Sequence, residues 1–166
     1  MSLEIRVPGG SVMHVEQVMS RQVKSCGASD SLAAAARIMW DQDIGAVPVV
    51  GEAGRPVGIV TDRDICMAAC FSNLPLAAMP VGEHMSRQVF SVEPGASVEA
   101  AEQLMAERQV RRLPVVGFEG ELVGMITMSD LARAAVESHR REVDVRQVAA
   151  TISRIVKARR PELANA

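Results

Sequence analysis

An internal repeat governs this chain and limits what it can fold into. Moved by 66 positions, Met19-Ser20-Arg21-Gln22-Val23 falls on Met85-Ser86-Arg87-Gln88-Val89, and the register then holds without a gap. Pro48-Val49-Val50-Gly51 falls on Pro114-Val115-Val116-Gly117, Val57-Gly58 on Val123-Gly124, Thr61 on Thr127 and Asp64 on Asp130. Between 19–65 and 85–131, 19 of 47 positions are identical. A unit this short is a poor independent folder, so the two copies are expected to pack together and share a core.

Each copy reads as one β-α-β-β-α unit. A predicted short strand, 23–26 or 89–92, leads to an N-cap serine, Ser31 or Ser97. The helix after it has apolar positions Leu32, Ala35, Ala36 and Met39, echoed by Val98, Ala101, Leu104 and Met105. Two β-rich runs follow, 46–50 and 56–60, then 113–116 and 122–126, each pair parted by a glycine turn. The last strand runs into a second helix at Thr61 or Thr127. The expected organisation is a lead-in at 1–17, repeat 1 at 18–72, a linker at 73–83, repeat 2 at 84–136 and a helical extension at 137–166. In that extension Val145, Val148, Ile152, Ile155 and Val156 share one helical face between Asp144 and Arg160, and Pro161 ends the helix. The fold class is therefore α/β in the mixed α+β sense: two tandem repeats related by a pseudo-twofold axis, plus a C-terminal amphipathic helix that needs a partner surface in cis or in a second subunit.

Composition removes several functions. Apolar residues make up 48% of the chain but aromatic ones only 2%: Trp40, Phe71, Phe90 and Phe118, with no tyrosine. Small and branched aliphatics with methionine must fill the core, and a strand of nucleic acid would find few stacking platforms. The net charge of −2 offers no basic footprint for DNA or anionic lipid. The longest apolar run, Ile65 to Phe71, is far short of a membrane span. Three cysteines, an odd count, suit a reducing compartment, and no signal peptide is legible, so a cytoplasmic protein is expected.

The sharpest local signal is Gly-x-x-Thr-x-x-Asp, present as Gly58 to Asp64 and as Gly124 to Asp130. Thr-x-x-Asp at a helix start is a variant capping box, sufficient by itself to explain both residues. Capping alone does not call for glycine three residues earlier in a strand, where it signals close approach of a ligand or of another backbone. Strand-to-helix junctions also gather N–H groups suited to an anion, and a hydroxyl with a carboxylate could meet phosphate and ribose hydroxyls. Pro48 and Pro114 mark an edge-like or ligand-facing stretch of their strands. The copies differ just before them: Gly45-Ala46-Val47 against Arg111-Arg112-Leu113, an arginine pair that could fork onto phosphate or lie as a solvated surface pair.

The duplicated unit, the Pro-Val-Val strands and the paired Gly-x-x-Thr-x-x-Asp motifs resemble a tandem pair of CBS domains, named for cystathionine β-synthase. The resemblance covers 18–72 and 84–136, and its Thr61-Asp62-Arg63-Asp64 and Val110-Arg111-Arg112-Leu113-Pro114 forms are similar to those of stand-alone bacterial CBS-pair proteins. It implies an adenine nucleotide or related adenosyl ligand (AMP, ADP or ATP, with NAD or S-adenosylmethionine as further options) in the cleft between the repeats, and a disc-like homodimer. By motif match, Asp64 and Asp130 would hold ribose hydroxyls, and Thr61 and Thr127 would sit at ribose or phosphate. Each cleft would be assembled across copies. Asp64, with Ile59 and Arg63, would face Val89, Phe90, Arg111, Arg112 and Pro114. Asp130, with Met125 and Ser129, would face Val23, Lys24, Ala46, Val47 and Pro48. The arginines favour the Asp64 cleft for a phosphorylated ligand, whereas Lys24 is the obvious cation of the other.

A catalytic role finds no support in sequence: there is no Walker-type loop, no Gly-x-Ser-x-Gly and no His-Glu-x-x-His. Cys66 and Cys70 share a helical face, but only His84 is near enough in sequence to join them, so no metal site is assigned. His14 and His139 receive no role. The resulting expectation is a ligand-sensing regulatory module acting in trans on an unidentified protein. Two rivals stand beside it: an interaction protein whose Thr-x-x-Asp motifs are only caps, and an enzyme acting on a bound nucleotide.

Overall fold

The computed structural model describes residues 12–137 and 145–156. In chain order the elements are α1 (Val15–Val18), β1 (Cys26–Gly27), α2 (Leu32–Gln42), β2 (Ala46–Val50), β3 (Pro56–Thr61) and α3 (Asp62–Phe71). They continue with α4 (Val81–His84), α5 (Val98–Arg108), β4 (Arg112–Val116), β5 (Leu122–Thr127), α6 (Met128–Glu137) and α7 (Val145–Val156). Both N-cap serines work as expected: Ser31 Oγ accepts from Ala34 N–H at 3.2 Å and Ser97 Oγ from Ala100 N–H at 3.1 Å. The central antiparallel pairs are equivalent residue for residue, with Ala46 opposite Thr61 and Pro48 opposite Ile59, then Arg112 opposite Thr127 and Pro114 opposite Met125.

Strand alternation divides the core from the clefts. Val47, Val49 and Val60 are fully buried in one core, and Leu113, Val115 and Ile126 in the other. The side chains between them face elsewhere. The lead-in strands are shorter than their sequence suggests. β1 pairs with β2 in parallel only through Cys26 and Gly27, and in repeat 2 the corresponding contact is a single parallel bridge from Val92 to Val115. Pro48 thus lies just beyond the reach of β1, where no ladder donor is needed on that side.

The cores do not follow the sequence copies. Val15, from the lead-in, and Met19, at the very start of repeat 1, lie in the core of repeat 2 beside Val98, Met105 and Leu131. Val81, from the linker, and Met85, at the very start of repeat 2, lie in the core of repeat 1 beside Leu32, Met39 and Ile65. Each lead-in then passes along the other copy's hairpin. Ser20 and Met125 exchange backbone hydrogen bonds at 2.9 Å each, and Ile59 and Ser86 do so at 3.0 and 2.9 Å. Gly58 and Gly124 permit this approach. A Cβ on Gly58 would lie 2.9 Å from the Ser86 carbonyl, and one on Gly124 3.1 Å from the Ser20 carbonyl. Of the two explanations open at sequence level, approach of another backbone is the one realised.

Helix α7 packs in cis on α5 and α6. Its buried residues are Val148, Thr151 and Ile155, while Val145, Ile152 and Val156 are exposed. The buried stripe is narrower than the apolar face read from sequence, because α7 meets its neighbours along one i, i+3, i+7 line. The flanking part of the expected helix, and its end at Pro161, lie outside the described residues. The equivalent face of repeat 1 carries no such helix among the described residues. There Trp40 is 83% exposed, whereas its counterpart Ala106 is 5% exposed.

Candidate nucleotide-binding clefts

The same junction is built twice, at the end of β3 and at the end of β5. Thr61 Oγ1 donates to Asp64 Oδ2 at 2.7 Å, Thr61 N–H donates to the same oxygen at 2.8 Å, and Asp64 N–H donates back to Thr61 Oγ1 at 3.2 Å. Thr127 and Asp130 repeat the pattern at 2.7, 2.9 and 3.3 Å. Both motifs are therefore formed capping boxes, and each leaves one carboxylate oxygen outside the box. The two free oxygens differ. Asp130 Oδ1 lies 3.5 Å from the Arg133 guanidinium on a side chain only 5% exposed. Asp64 is half-buried, and no described side chain pairs with its Oδ1.

Beside Thr61 opens a cavity of about 800 Å³ lined by Ile59, Thr61, Asp62 and Arg63 of repeat 1 and by Ser86, Gln88, Val110, Arg111 and Arg112 of repeat 2. Ile155 and Val156 of α7 and Gln109 close one side. Beside Thr127 lies a smaller cavity of about 210 Å³, lined by Met125, Thr127 and Arg112 together with Val23, Lys24, Ala46 and Pro48. Ser20, Gln22, Gln42 and Ile44 complete it. Pockets for small ligands span roughly 300–1,000 Å³, so the first cavity has nucleotide dimensions and the second is smaller.

Several residues named from sequence stand elsewhere. Val47 points into the repeat-1 core, on the strand face opposite Ala46 and Pro48. Pro114 is buried and absent from the cavity lining. Val89 does not line the cavity, and Phe90 packs on the repeat-2 core with the Arg108 guanidinium 4.9 Å over its ring. The same extended segment instead presents Ser86 and Gln88. Ser129 is exposed on α6 and lines neither cleft. Asp64 and Asp130 stand behind their threonines, turned back into the caps.

Beyond Ser86 and Gln88, the linings hold Asp62, Ile155 and Val156, which sequence reasoning did not single out, and Arg112, which it placed in one cleft only. Asp62, next to Arg63, sets a carboxylate against the arginines of the larger cleft. Ile155 and Val156 bring α7 to its mouth, a contact that no local motif announces. Arg112 belongs to both cavities. Burial pulls its guanidinium below the ordinary arginine range, with Asp62 opposing that shift and Arg111 adding to it. Cys66 and Cys70 are exposed free thiols on α3, and no cluster of three or more His, Cys, Asp or Glu side chains suited to a metal occurs among the described residues. None of the described helices is long and apolar enough to cross a membrane.

A duplicated β-α-β-β-α unit with exchanged lead-ins and a Thr-x-x-Asp junction at each of two inter-repeat clefts defines a class of paired-repeat modules. The chain belongs to the CBS domain family: that family's sequence model matches residues 15–70 and 81–137. The CBS domain-containing protein YhcV of Bacillus subtilis is 39% identical over 118 residues, covering 71% of this chain and 82% of YhcV. Hypoxic response protein 1 of Mycobacterium tuberculosis is 37% identical over 116 residues, covering 70% of this chain and 80% of that protein. A crystal structure of hypoxic response protein I with two coordinated zinc ions superposes with a TM-score of 0.66 at 36% identity, covering 73% of this chain and 98% of that one. The CBS domain pair of protein MJ0100, in complex with 5′-methylthioadenosine and S-adenosyl-L-methionine, superposes with a TM-score of 0.67 at 26% identity, covering 74% of this chain and 95% of that one.

Proposed function

We propose that this protein is an adenosyl-ligand sensor, binding AMP, ADP or ATP between its repeats and acting in trans on a partner protein rather than catalysing a reaction. The observation that carries this reading is the cavity of about 800 Å³ beside Thr61, built from both copies and bordered by Arg63, Arg111 and Arg112. Ile59 and Val110 offer the adenine an aliphatic clamp, which suits a chain nearly free of aromatics. Asp64 stands behind Thr61 and keeps one carboxylate oxygen outside the cap, which on turning toward the cavity would accept from ribose, while the arginines would donate to phosphate with charge assistance. The MJ0100 pair, with its adenosyl ligands, supports the ligand class. NAD and S-adenosylmethionine share the same adenosine recognition and remain within it. A thermal-shift panel of AMP, ADP, ATP, NAD and S-adenosylmethionine tests the reading. A ligand at 100 times its Kd adds about 2.7 kcal/mol of stability, and no shift with any of the five at millimolar concentration would overturn it.

The completed capping boxes favour one other reading, an interaction protein in which Thr61, Asp64, Thr127 and Asp130 serve only as caps. It differs in predicting no stabilisation by any nucleotide. The proposal extends to self-association. With α7 covering the helical face of repeat 2 in cis, the open α2/α3 face of repeat 1, with Trp40, Ile44 and Phe71 exposed, is the surface on which a homodimer would form. A reducing cytoplasmic location fits the free thiols.

A further inference from the structure

We propose that Arg112 is a single phosphate-binding cation shared by the two clefts, so that an anionic ligand in one weakens the binding of an anionic ligand in the other. Arg112 is the only described residue in the linings of both cavities. It opens β4, where its backbone faces Thr127 of the smaller cleft, and it shares the lining of the larger one with Asp62 and Arg111. The pseudo-twofold axis explains how one side chain reaches both. The counterparts of Arg111 and Arg112 are Gly45 and Ala46, which border the larger and the smaller cavity respectively. Side chains that small leave the space between the clefts to Arg112. A second large residue at position 46 would have given each cleft a cation of its own.

The two sites depend on this cation unequally. The larger cleft keeps Arg63 and Arg111 when Arg112 turns away, partly offset by Asp62. Among the described residues lining the smaller cleft, Lys24 is the one other cation. A guanidinium engaged bidentately by one phosphate cannot present the same fork to another. Filling the larger cleft with a phosphorylated ligand therefore withdraws the better donor from the smaller one, and by linkage the reverse holds to the same factor. An uncharged ligand makes no such demand. It also gains whatever room the smaller cleft acquires when Arg112 swings out.

This inference rests on the proposed nucleotide binding, and calorimetry separates the two. AMP is titrated into the wild type, Asp64→Ala, Asp130→Ala and Arg112→Gln, and adenosine into the wild type and Asp64→Ala. The Asp130→Ala titration identifies which of the wild-type events belongs to the smaller cleft. The expected result is that AMP enters the smaller cleft about tenfold more weakly in the wild type, where the larger cleft is already filled, than in Asp64→Ala, within the usual range of coupling between sites. Adenosine shows no such weakening, and the two AMP events become independent in Arg112→Gln. Equal AMP affinity at the smaller cleft in the wild type and Asp64→Ala overturns the inference while leaving nucleotide binding intact. So does a difference that adenosine shares or that survives in Arg112→Gln. Absence of saturable AMP heat, or a single wild-type event, also overturns it, and the former removes the nucleotide reading as well. If Arg112→Gln does not fold, the contrast between adenosine and AMP still decides.

Discussion

Replacing Gly58 by alanine should loosen the fold and damage one cleft selectively. The new Cβ would stand 2.9 Å from the Ser86 carbonyl oxygen and closer still to the Met85 sulfur. Met85 can turn aside. The carbonyl cannot, because it accepts the 3.0 Å hydrogen bond from Ile59 N–H, and Ser86 N–H returns one of 2.9 Å to the Ile59 carbonyl. Relief requires the lead-in of repeat 2 to back away from β3. Losing two such bonds costs about 1 kcal/mol each, and residual overpacking in a buried strand costs about 1–3 kcal/mol when it is not relieved. Because moving apart relieves the clash, the terms do not simply add, and a loss of about 2–3 kcal/mol is expected. For a domain of this size that is a fall in Tm of roughly 5–10 °C. Gly124→Ala, whose Cβ would meet the Ser20 carbonyl at 3.1 Å, should cost less. Urea unfolding gives the stability and calorimetry the ligand affinity. Gly58→Ala should also weaken AMP at the larger cleft, where Ser86 and Gln88 form a wall, more than at the smaller one. An unfolding midpoint for Gly58→Ala equal to that of the wild type would refute the claim that this glycine exists to admit the neighbouring backbone.

Two further predictions concern other parts of the molecule. Trp40→Glu places a charge on the open α2/α3 face, and light scattering should show a wild-type dimer reduced to a monomer; a monomeric wild type, or a variant that stays dimeric, contradicts the proposed interface. Cys26 is buried beside Asp30, and burial first, then that carboxylate, pushes its thiol from 9.0 up to about 11. Since the folded chain holds this proton more tightly than the unfolded one, the contribution is complete below pH 9 and is lost as pH rises through 11. Urea midpoints at pH 8 and pH 10.5 should therefore fall further for the wild type than for Cys26→Ala, and parallel falls would speak against it.

Most of the architecture could be read from the repeat, because its signals are local. Ser31 and Ser97 cap helices through neighbours three residues away, whereas Val47, assigned to a cleft from sequence, lies with Val49 in the core, as alternation along Ala46–Val50 would have indicated. The glycines of the Gly-x-x-Thr-x-x-Asp motifs posed a question of approach that only tertiary structure could answer. The exchange of lead-ins was not legible. Segments as short as α1 and α4 show no periodicity, and nothing in Val15 or Val81 says which copy's core it enters. The recurrence of Met19-Ser20 as Met85-Ser86 was the available clue, and it marks the two crossing points. In the clefts, Thr61, Arg63, Arg111 and Lys24 were found by type and spacing. Gln88 was overlooked in favour of Val89 and Phe90 because a short lead-in strand does not declare which of its faces borders the cavity. Arg112 was assigned to one cleft, although it lines both.

The central claim is that the larger cleft holds an adenosyl ligand through Asp64. A carboxylate accepting from ribose contributes on the order of 1.5–3 kcal/mol, so removing it should weaken binding by roughly tenfold to a hundredfold. Asp130→Ala loses the equivalent cap and controls for the structural part of the change. The direct test is calorimetric titration of AMP into the wild type, Asp64→Ala and Asp130→Ala. The account predicts that the tighter AMP event weakens at least tenfold in Asp64→Ala and is retained in Asp130→Ala; the tighter event unchanged in Asp64→Ala but lost in Asp130→Ala would contradict it.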